Sequence, residues 1–316
     1  MPDTVLVTGA AGFIGSHVCE ALLRRGERVV GVDNFDPFYA RAIKERTRDA
    51  LLAAGGVFVE ADITDAAAMR TLFARERPAG VIHLAAKAGV RPSIEDPAGY
   101  ARANVLGTAV IQEAAARAGC ARLVVASSSS VYGNAPSVPF REDQDVSQPI
   151  SPYAATKRAG ELIGYTHHLL TGMPTAQLRF FTVYGPRQRP DLAIAKFMRA
   201  IARGEPVTLF GDGSMSRDYT YIDDIVAGVL ASYDRIPAHG YRVWNLGSDA
   251  PVALHDMLRT IERVVGRDAI VRREPMQPGD VLRTWADLTR SRAELGYAPS
   301  TPFEEGVRLQ WRAFSA

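Results

Sequence analysis

The run Gly9-Ala-Ala-Gly12-Phe-Ile-Gly15 constrains this chain more than any other feature in it. It follows at once on a β-branched stretch, Thr4–Thr8, and opens an amphipathic one, Phe13–Arg25. Glycines between a strand and a helix make a turn whose backbone can approach a pyrophosphate closely, with its N–H groups and the helix N-terminus facing the anion. An ordinary tight turn also takes glycine. Placement favours the dinucleotide reading, because Asp33 stands about 20 residues on, at the end of a second strand. A carboxylate there accepts hydrogen bonds from a ribose 2′-hydroxyl and repels a 2′-phosphate, so Asp33 favours NAD over NADP. No arginine follows it at once; Asn34 and Phe35 come next. Asp62, just after a third strand, reads equally as an adenine contact or as a turn cap.

Further strands, Arg28–Val32, Val57–Glu60, Gly80–Leu84 and Arg122–Ser127, alternate with helical stretches such as Ala66–Arg75 and Ala98–Ala118. That alternation predicts a parallel sheet covered on both faces. Ser151–Thr171 reads as a long helix with Ser151 as N-cap and Pro152 at its first position, and a strand, Thr175–Phe181, follows. From Pro186 the texture turns to loops rich in Gly, Pro and Arg. Gly211-Asp-Gly213 marks a turn between short strands, Asp223–Tyr233 a helix, and Val243–Leu246 a strand returning to the main sheet. The expected fold is α/β: a Rossmann-type doubly wound parallel sheet with a smaller mixed α/β substrate-binding domain. The NAD-binding domain takes residues 1–180 with about 222–247, and the second takes 181–221 and 248–316.

Composition narrows the class. The chain has 316 residues, 47% hydrophobic and 23% charged, with a net charge of +2. That is a globular balance with too little charge to imply a nucleic-acid or membrane partner. No apolar run approaches the roughly 20 residues that span a bilayer. The start, Met1 to Gly9, reads as a strand and not as a signal peptide. Cys19 and Cys120 have neither metal-ligand spacing nor a disulfide framework. A cytoplasmic protein without a metal is the expectation.

Tyr153 and Lys157 lie four residues apart on the long helix, so they share a face. A neighbouring ammonium favours the phenolate, which makes the tyrosine usable as a general base near neutral pH. Alone, Tyr-x-x-x-Lys is as readily a surface pair. The serine cluster Ser127 to Ser130, closing the preceding strand, and the glycine turn together favour chemistry.

These features resemble the sugar-nucleotide epimerase/dehydratase family of extended short-chain dehydrogenases/reductases. The resemblance runs from Val5 to about Trp311 and rests on several motifs. They are Thr8 to Gly15, His83 to Ala86, Asn104 with Gly107-Thr108, Ser127 to Gly133, Tyr153 to Lys157, Arg179 to Gly185, Arg217 to Tyr219 and Pro278 to Asp280. It implies that Gly9, Gly12, Phe13 and Ile14 hold the pyrophosphate, with Asp33 and Asn34 on the adenosine ribose. Asp62 and Ile63 would flank the adenine. Leu84, Ala85, Ala86, Lys87, Asn104, Ser127 and Phe180 would line the rest of the cofactor site. Tyr153 would be the base, Lys157 would also tie down the nicotinamide ribose, and Ser128, with Ser129 beside it, would meet the reacting hydroxyl.

The family begins by oxidising the sugar at C4. Its dehydratases carry an Asp-Glu pair, and related decarboxylases a glutamate, where this chain has Ser129 and Ser130. Serines cannot do carboxylate chemistry, so elimination is disfavoured and 4-epimerisation of a UDP-sugar is expected. The stretch Thr182 to Asp191 resembles the corresponding loop of UDP-glucuronate 4-epimerases, as do Ala88 to Ser93 and Met276 to Asp280. Arg187 and Gln188 stand where those relatives usually have Trp-Gly. Arg189 would grip a C6 carboxylate bidentately, aided by Thr182 or Ser93. The alternative is a solvated loop arginine or one bound to the diphosphate. Arg91 and Phe181 join the sugar site; Arg217 and Asp280 would contact diphosphate and uridine ribose, with Lys196, Val207, Phe210 and Gln277 around the nucleotide. The rivals are UDP-glucose/UDP-galactose epimerisation, a dehydratase or decarboxylase, and an NAD-binding scaffold without catalysis. Family likeness also implies a homodimer through Ala98–Ala118 and Ser151–Thr171.

Overall fold

Val5, Leu6 and Val7 are all fully buried, yet they face opposite ways. Val5 and Val7 pack with Val18, Leu22 and Ile225, whereas Leu6 packs with Met69, Phe73 and Ile111. A strand apolar on both faces needs cover on both, which is the layering of a parallel sheet between helices. A computed structural model describes residues 3–275 and 281–315.

The chain runs β1 (Thr4–Thr8), α1 (Phe13–Arg24), β2 (Arg28–Asp33), α2 (Arg41–Ala53), β3 (Val57–Glu60), α3 (Ala66–Glu76) and β4 (Gly80–His83). Two short helices, α4 (Val90–Glu95) and α5 (Pro97–Ala101), lead into a π-helical turn, Arg102–Leu106, and α6 (Gly107–Arg117). Then come β5 (Arg122–Ser128), α7 (Pro152–Thr171), β6 (Thr175–Phe180), β7 (Thr182–Tyr184), α8 (Ala193–Arg203), β8 (Val207–Phe210) and β9 (Ser216–Tyr221). The rest is α9 (Ile222–Arg235), β10 (Tyr241–Leu246), β11 (Pro251–Ala253), α10 (Leu254–Val265), β12 (Val271–Glu274), α11 (Thr289–Leu295) and α12 (Phe303–Ser315).

Seven parallel strands form the main sheet in the order β10-β6-β5-β4-β1-β2-β3. The chain moves outward from β1 to β3 and then returns to β4, so the crevice of a doubly wound sheet opens at the carboxyl ends of β1 and β4. β10 joins the far edge beside β6, the return expected from Val243–Leu246. The expected helix Ala98–Ala118 is instead α5, the π-turn and α6. Such a bulge re-aims a side chain, and here it carries the buried Asn104. α7 starts as expected, with Ser151 Oγ accepting from the Ala154 N–H at 3.1 Å.

The remaining strands form a three-stranded sheet, β11-β9-β7, and a two-stranded pair, β12-β8, and of these β7 reaches the crevice. Asp218 on β9 is fully buried and holds this region to β10's end. Its carboxylate accepts from the N–H groups of Ser248 (2.7 Å), Asp249 (3.2 Å) and Ala286 (3.0 Å). Burial pushes its pKa up, and these donors pull the other way.

Candidate active site

A cavity of about 670 Å³ lies at the crevice, within the roughly 300–1,000 Å³ usual for small-molecule sites. Its floor is the glycine turn. Gly9 has φ +72°, and a Cβ there would stand 2.8 Å from the Ala85 nitrogen. A Cβ on Gly15 would collide with the Gly9 carbonyl, so α1 can pack this close to the turn only on glycine. No side chain caps α1 at Gly12, which leaves its first N–H groups for an anion. Gly12, Phe13, Ile14, Ile63, Leu84, Ala85, Ala86 and Lys87 continue the wall.

Asp33 ends β2 on the same wall, 8% exposed. Its carboxylate accepts from the Ala11 N–H at 3.2 Å and the Phe35 N–H at 2.9 Å. Burial raises its pKa, while the Lys44 ammonium 3.9 Å away lowers it. Lys44 also lines the cavity, and sequence reading missed it because α2 brings it back from eleven positions downstream. Asp62 caps its turn and also lines the cavity. It lines the wall beside Asn34, which donates to it at 3.2 Å, and it caps its own turn by accepting from the Thr64 N–H at 2.8 Å.

At the other end β5 delivers Ser127 and Ser128, with Ser129 next, and α7 delivers Tyr153 and Lys157. Burial pushes the Tyr153 phenol above its ordinary pKa; hydrogen bonding with Ser128 and the charge of Arg189 pull it down. The Lys157 ammonium donates to the Ala126 carbonyl at 2.8 Å and lies 5.9 Å from the Tyr153 ring centre. Burial lowers its pKa to about 8. The Arg189 guanidinium thus adds a second positive charge to the phenol's surroundings, one that helical spacing does not reveal. Ser127 turns away from chemistry: its hydroxyl donates at 2.7 Å to Glu161, which is paired with the buried Arg179.

Several residues expected at the site do not line this cavity. Ser93 is fully buried off the wall; its hydroxyl donates to the Val90 carbonyl at 2.5 Å and accepts from the Tyr153 N–H at 3.0 Å. It fastens the start of α7. Asn104 also lies behind the wall, its amide oxygen accepting from the Lys87 N–H and its NH₂ donating to the Lys87 carbonyl and to Thr156. Val207, the first residue of β8, is 2% exposed and packs in the core. Lys196, Phe210, Arg91 and Arg217 also stand off this cavity: Lys196 is exposed on α8, Arg91 lies 4.6 Å over the Phe210 ring, and Arg217 donates to the Ser216 carbonyl. Gln277 and Asp280 fall outside the described residues.

Phe180, Phe181, Thr182 and Arg189 complete the wall. The Arg189 guanidinium is 17% exposed, donates from Nε and Nη2 to Asp191 at 3.0 and 2.7 Å, and stacks 4.8 Å over Phe38. The two residues before it fasten the loop. Arg187 forks onto Glu20 of α1, and Gln188 donates to the Val183 carbonyl at 3.0 Å while accepting from Gln310 at 2.8 Å.

The sequence matches the description "NAD dependent epimerase/dehydratase family" over residues 5–247. The chain belongs to the NAD-dependent epimerase/dehydratase family. A UDP-glucuronate 4-epimerase of Thermodesulfobacterium geofontis is 42% identical over 96% of this chain and 93% of its own length. The Bacillus cereus UDP-glucuronic acid 4-epimerase, solved with UDP-glucuronic acid and NAD, is 34% identical with a TM-score of 0.93 over 99% of both chains. A Thermotoga maritima UDP-glucose 4-epimerase solved with UDP-glucose is 33% identical with a TM-score of 0.90, covering 99% of this chain and 98% of its own.

The cavity of this epimerase/dehydratase family member suits NAD on its own geometry. The turn has no room for a Cβ at Gly9, the first turn of α1 has no side-chain cap, and a buried carboxylate stands at the end of β2. Among the described residues the acids on the wall are Asp33, which ends β2, and Asp36 and Asp62, which follow β2 and β3. Around Tyr153 the wall offers hydroxyls, an ammonium and a guanidinium.

Proposed function

We propose that this protein is an NAD-dependent UDP-sugar 4-epimerase that interconverts UDP-glucuronate and UDP-galacturonate. One observation carries the reaction type: among the described residues, no carboxylate lines the wall around Tyr153, where Ser128, Ser129, Ser130 and Thr182 stand. Dehydration needs an acid and a base for C5 and C6, and hydroxyls at these positions supply neither. Bound NAD would take a hydride from C4 and return it. Tyr153 removes the O4 proton and later restores it, with the Ser128 hydroxyl steadying the same oxygen. The Lys157 ammonium, held by the Ala126 carbonyl, contributes positive charge near the phenol. Between the two transfers the 4-keto sugar turns its other face.

Arg189 supports the choice of sugar. A guanidinium at the Tyr153 end matches a C6 carboxylate. The keto form of a glucuronate is a β-keto acid liable to lose CO₂, and a clamp holding the carboxylate out of alignment with the ketone protects it. The neutral-hexose reading keeps support from the likeness to the Thermotoga enzyme. The division of labour follows the chain, with 1–180 and 222–247 taking NAD and 181–221 and 248–316 taking the sugar nucleotide. An exposed apolar stripe on α7, Leu162, Tyr165 and Leu169 at one-turn spacing, supports a homodimer, and two buried free thiols suit the cytoplasm.

NMR of product formed from UDP-glucuronate without added reductant tests the reading, with Arg189→Ala beside the wild type. Losing a charge-assisted hydrogen bond, about 1.5–3 kcal/mol, lowers kcat/KM for UDP-glucuronate roughly ten- to a hundredfold and spares UDP-glucose. Equal losses on both sugars put Arg189 on the diphosphate. No conversion of UDP-glucuronate by the wild type leaves the neutral hexose.

A further inference from the structure

Reading a carboxylate bidentately requires a guanidinium fixed in two senses, its plane and its rotation within that plane. Both are set here by two residues to which the sequence reading gave no role, Phe38 and Asp191. Phe38 lies under the Arg189 guanidinium at 4.8 Å and fixes the plane. Asp191 takes the Nε–Nη2 edge at 3.0 and 2.7 Å and fixes the rotation, which leaves the Nη1–Nη2 edge to a second anion. Asp191 itself is 42% exposed and Arg189 17%.

Phe38 reaches this place on a built loop. The Phe35 N–H donates to the Asp33 carboxylate, the Asp36 N–H to Asn34 and the Phe38 N–H to Asp36, at 2.9, 3.0 and 3.0 Å. These are consecutive side-chain-to-backbone turns of the kind that Asp and Asn favour. Lys44 braces the loop by donating to the Asp36 carbonyl at 2.9 Å. The loop that begins at the ribose-side carboxylate thus ends under the arginine of the sugar side.

We infer that Phe38 and Asp191 are specificity-determining positioning residues that preset Arg189 for a sugar carboxylate, with the loop Asp33–Phe38 joining the cofactor side to that task. This rests on the UDP-glucuronate reading. The test is calorimetric titration of NAD-saturated protein with UDP-glucuronate and with UDP-xylose, which lacks C6. The ratio of the two Kd values isolates the carboxylate, and UDP-xylose binding doubles as a check of folding. Phe38→Leu and Asp191→Asn are each expected to reduce the preference for UDP-glucuronate about three- to tenfold, with UDP-xylose affinity held within about twofold, while Phe38→Tyr restores the preference. An unchanged preference in Phe38→Leu overturns the role of the ring. Tighter UDP-glucuronate binding in Asp191→Asn overturns the positioning role of Asp191 and makes it a competitor for the fork. A wild type without any preference refutes the glucuronate reading itself, and this inference with it.

Discussion

Tyr153 is held between opposing influences: burial raises its pKa, and Ser128 and Arg189 lower it. Replacing it by Phe removes the proton acceptor and keeps the ring that meets Tyr100 edge-on at 6.3 Å. Turnover is expected to fall at least ~10²-fold, the lower range for general acid–base catalysis, with the fold intact by thermal melting. A variant keeping more than a tenth of the wild-type rate removes Tyr153 from the base role. The tyrosine was legible because four-residue spacing on a helix is a local fact. Ser93 and Asn104 were not, since a hydroxyl or an amide reads alike whether it faces a ligand or satisfies backbone. Their neighbours, the Tyr153 N–H at 3.0 Å and the Lys87 N–H at 2.8 Å, come from other elements.

Between elements, one hydrogen-bond chain runs from the glycine turn to the tyrosine. His83 Nδ1 meets Thr8 Oγ1 at 2.7 Å, and its Nε2 meets Thr108 Oγ1 at 3.1 Å. Thr108 donates to the Asn104 carbonyl, Asn104 to Thr156, and Thr156 to the Tyr153 carbonyl. His83 is 2% exposed, and burial, with Lys157 nearby, lowers its pKa from 6.5 to about 3. The unfolded chain therefore takes up a proton near pH 6.5 while the folded one does not until about pH 3. Stability from this group is full above pH 6.5 and falls as pH drops through that window, by about 1.4 kcal/mol per pH unit. Between pH 7 and 5, urea unfolding of His83→Asn should lose roughly 2 kcal/mol less than the wild type loses. Parallel losses would mean that His83 does not titrate this way. The motif His83 to Ala86 was visible in sequence; its partners on β1 and α6 were not.

At the scale of the molecule, the exposed α7 stripe, Leu162, Tyr165 and Leu169, is the surface on which the proposed homodimer is tested. Leu169 is 63% exposed, so Leu169→Glu should not disturb the fold but should break an interface built on that face. Light scattering at micromolar concentration is expected to give a dimer for the wild type and a monomer for the variant. A monomeric wild type disproves the homodimer. Sequence alone determined what depends on near neighbours along the chain. The glycine turn between β1 and α1 has its meaning from an adjacent strand and helix, and the alternation of strands and helices imposes the sheet through burial on both faces. Tyr153 with Lys157 and the N-cap Ser151 follow from helical spacing and local capping. Tertiary structure decided what depends on which surfaces meet. It brought Lys44 to Asp33, set Phe38 under Arg189, and moved Ser93, Asn104 and Val207 behind the wall. It also interrupted the expected helix Ala98–Ala118 with a π-turn at Asn104. The physical reason is that a side chain's partner is chosen by the packing of distant elements, where burial and hydrogen-bond satisfaction outweigh any local preference.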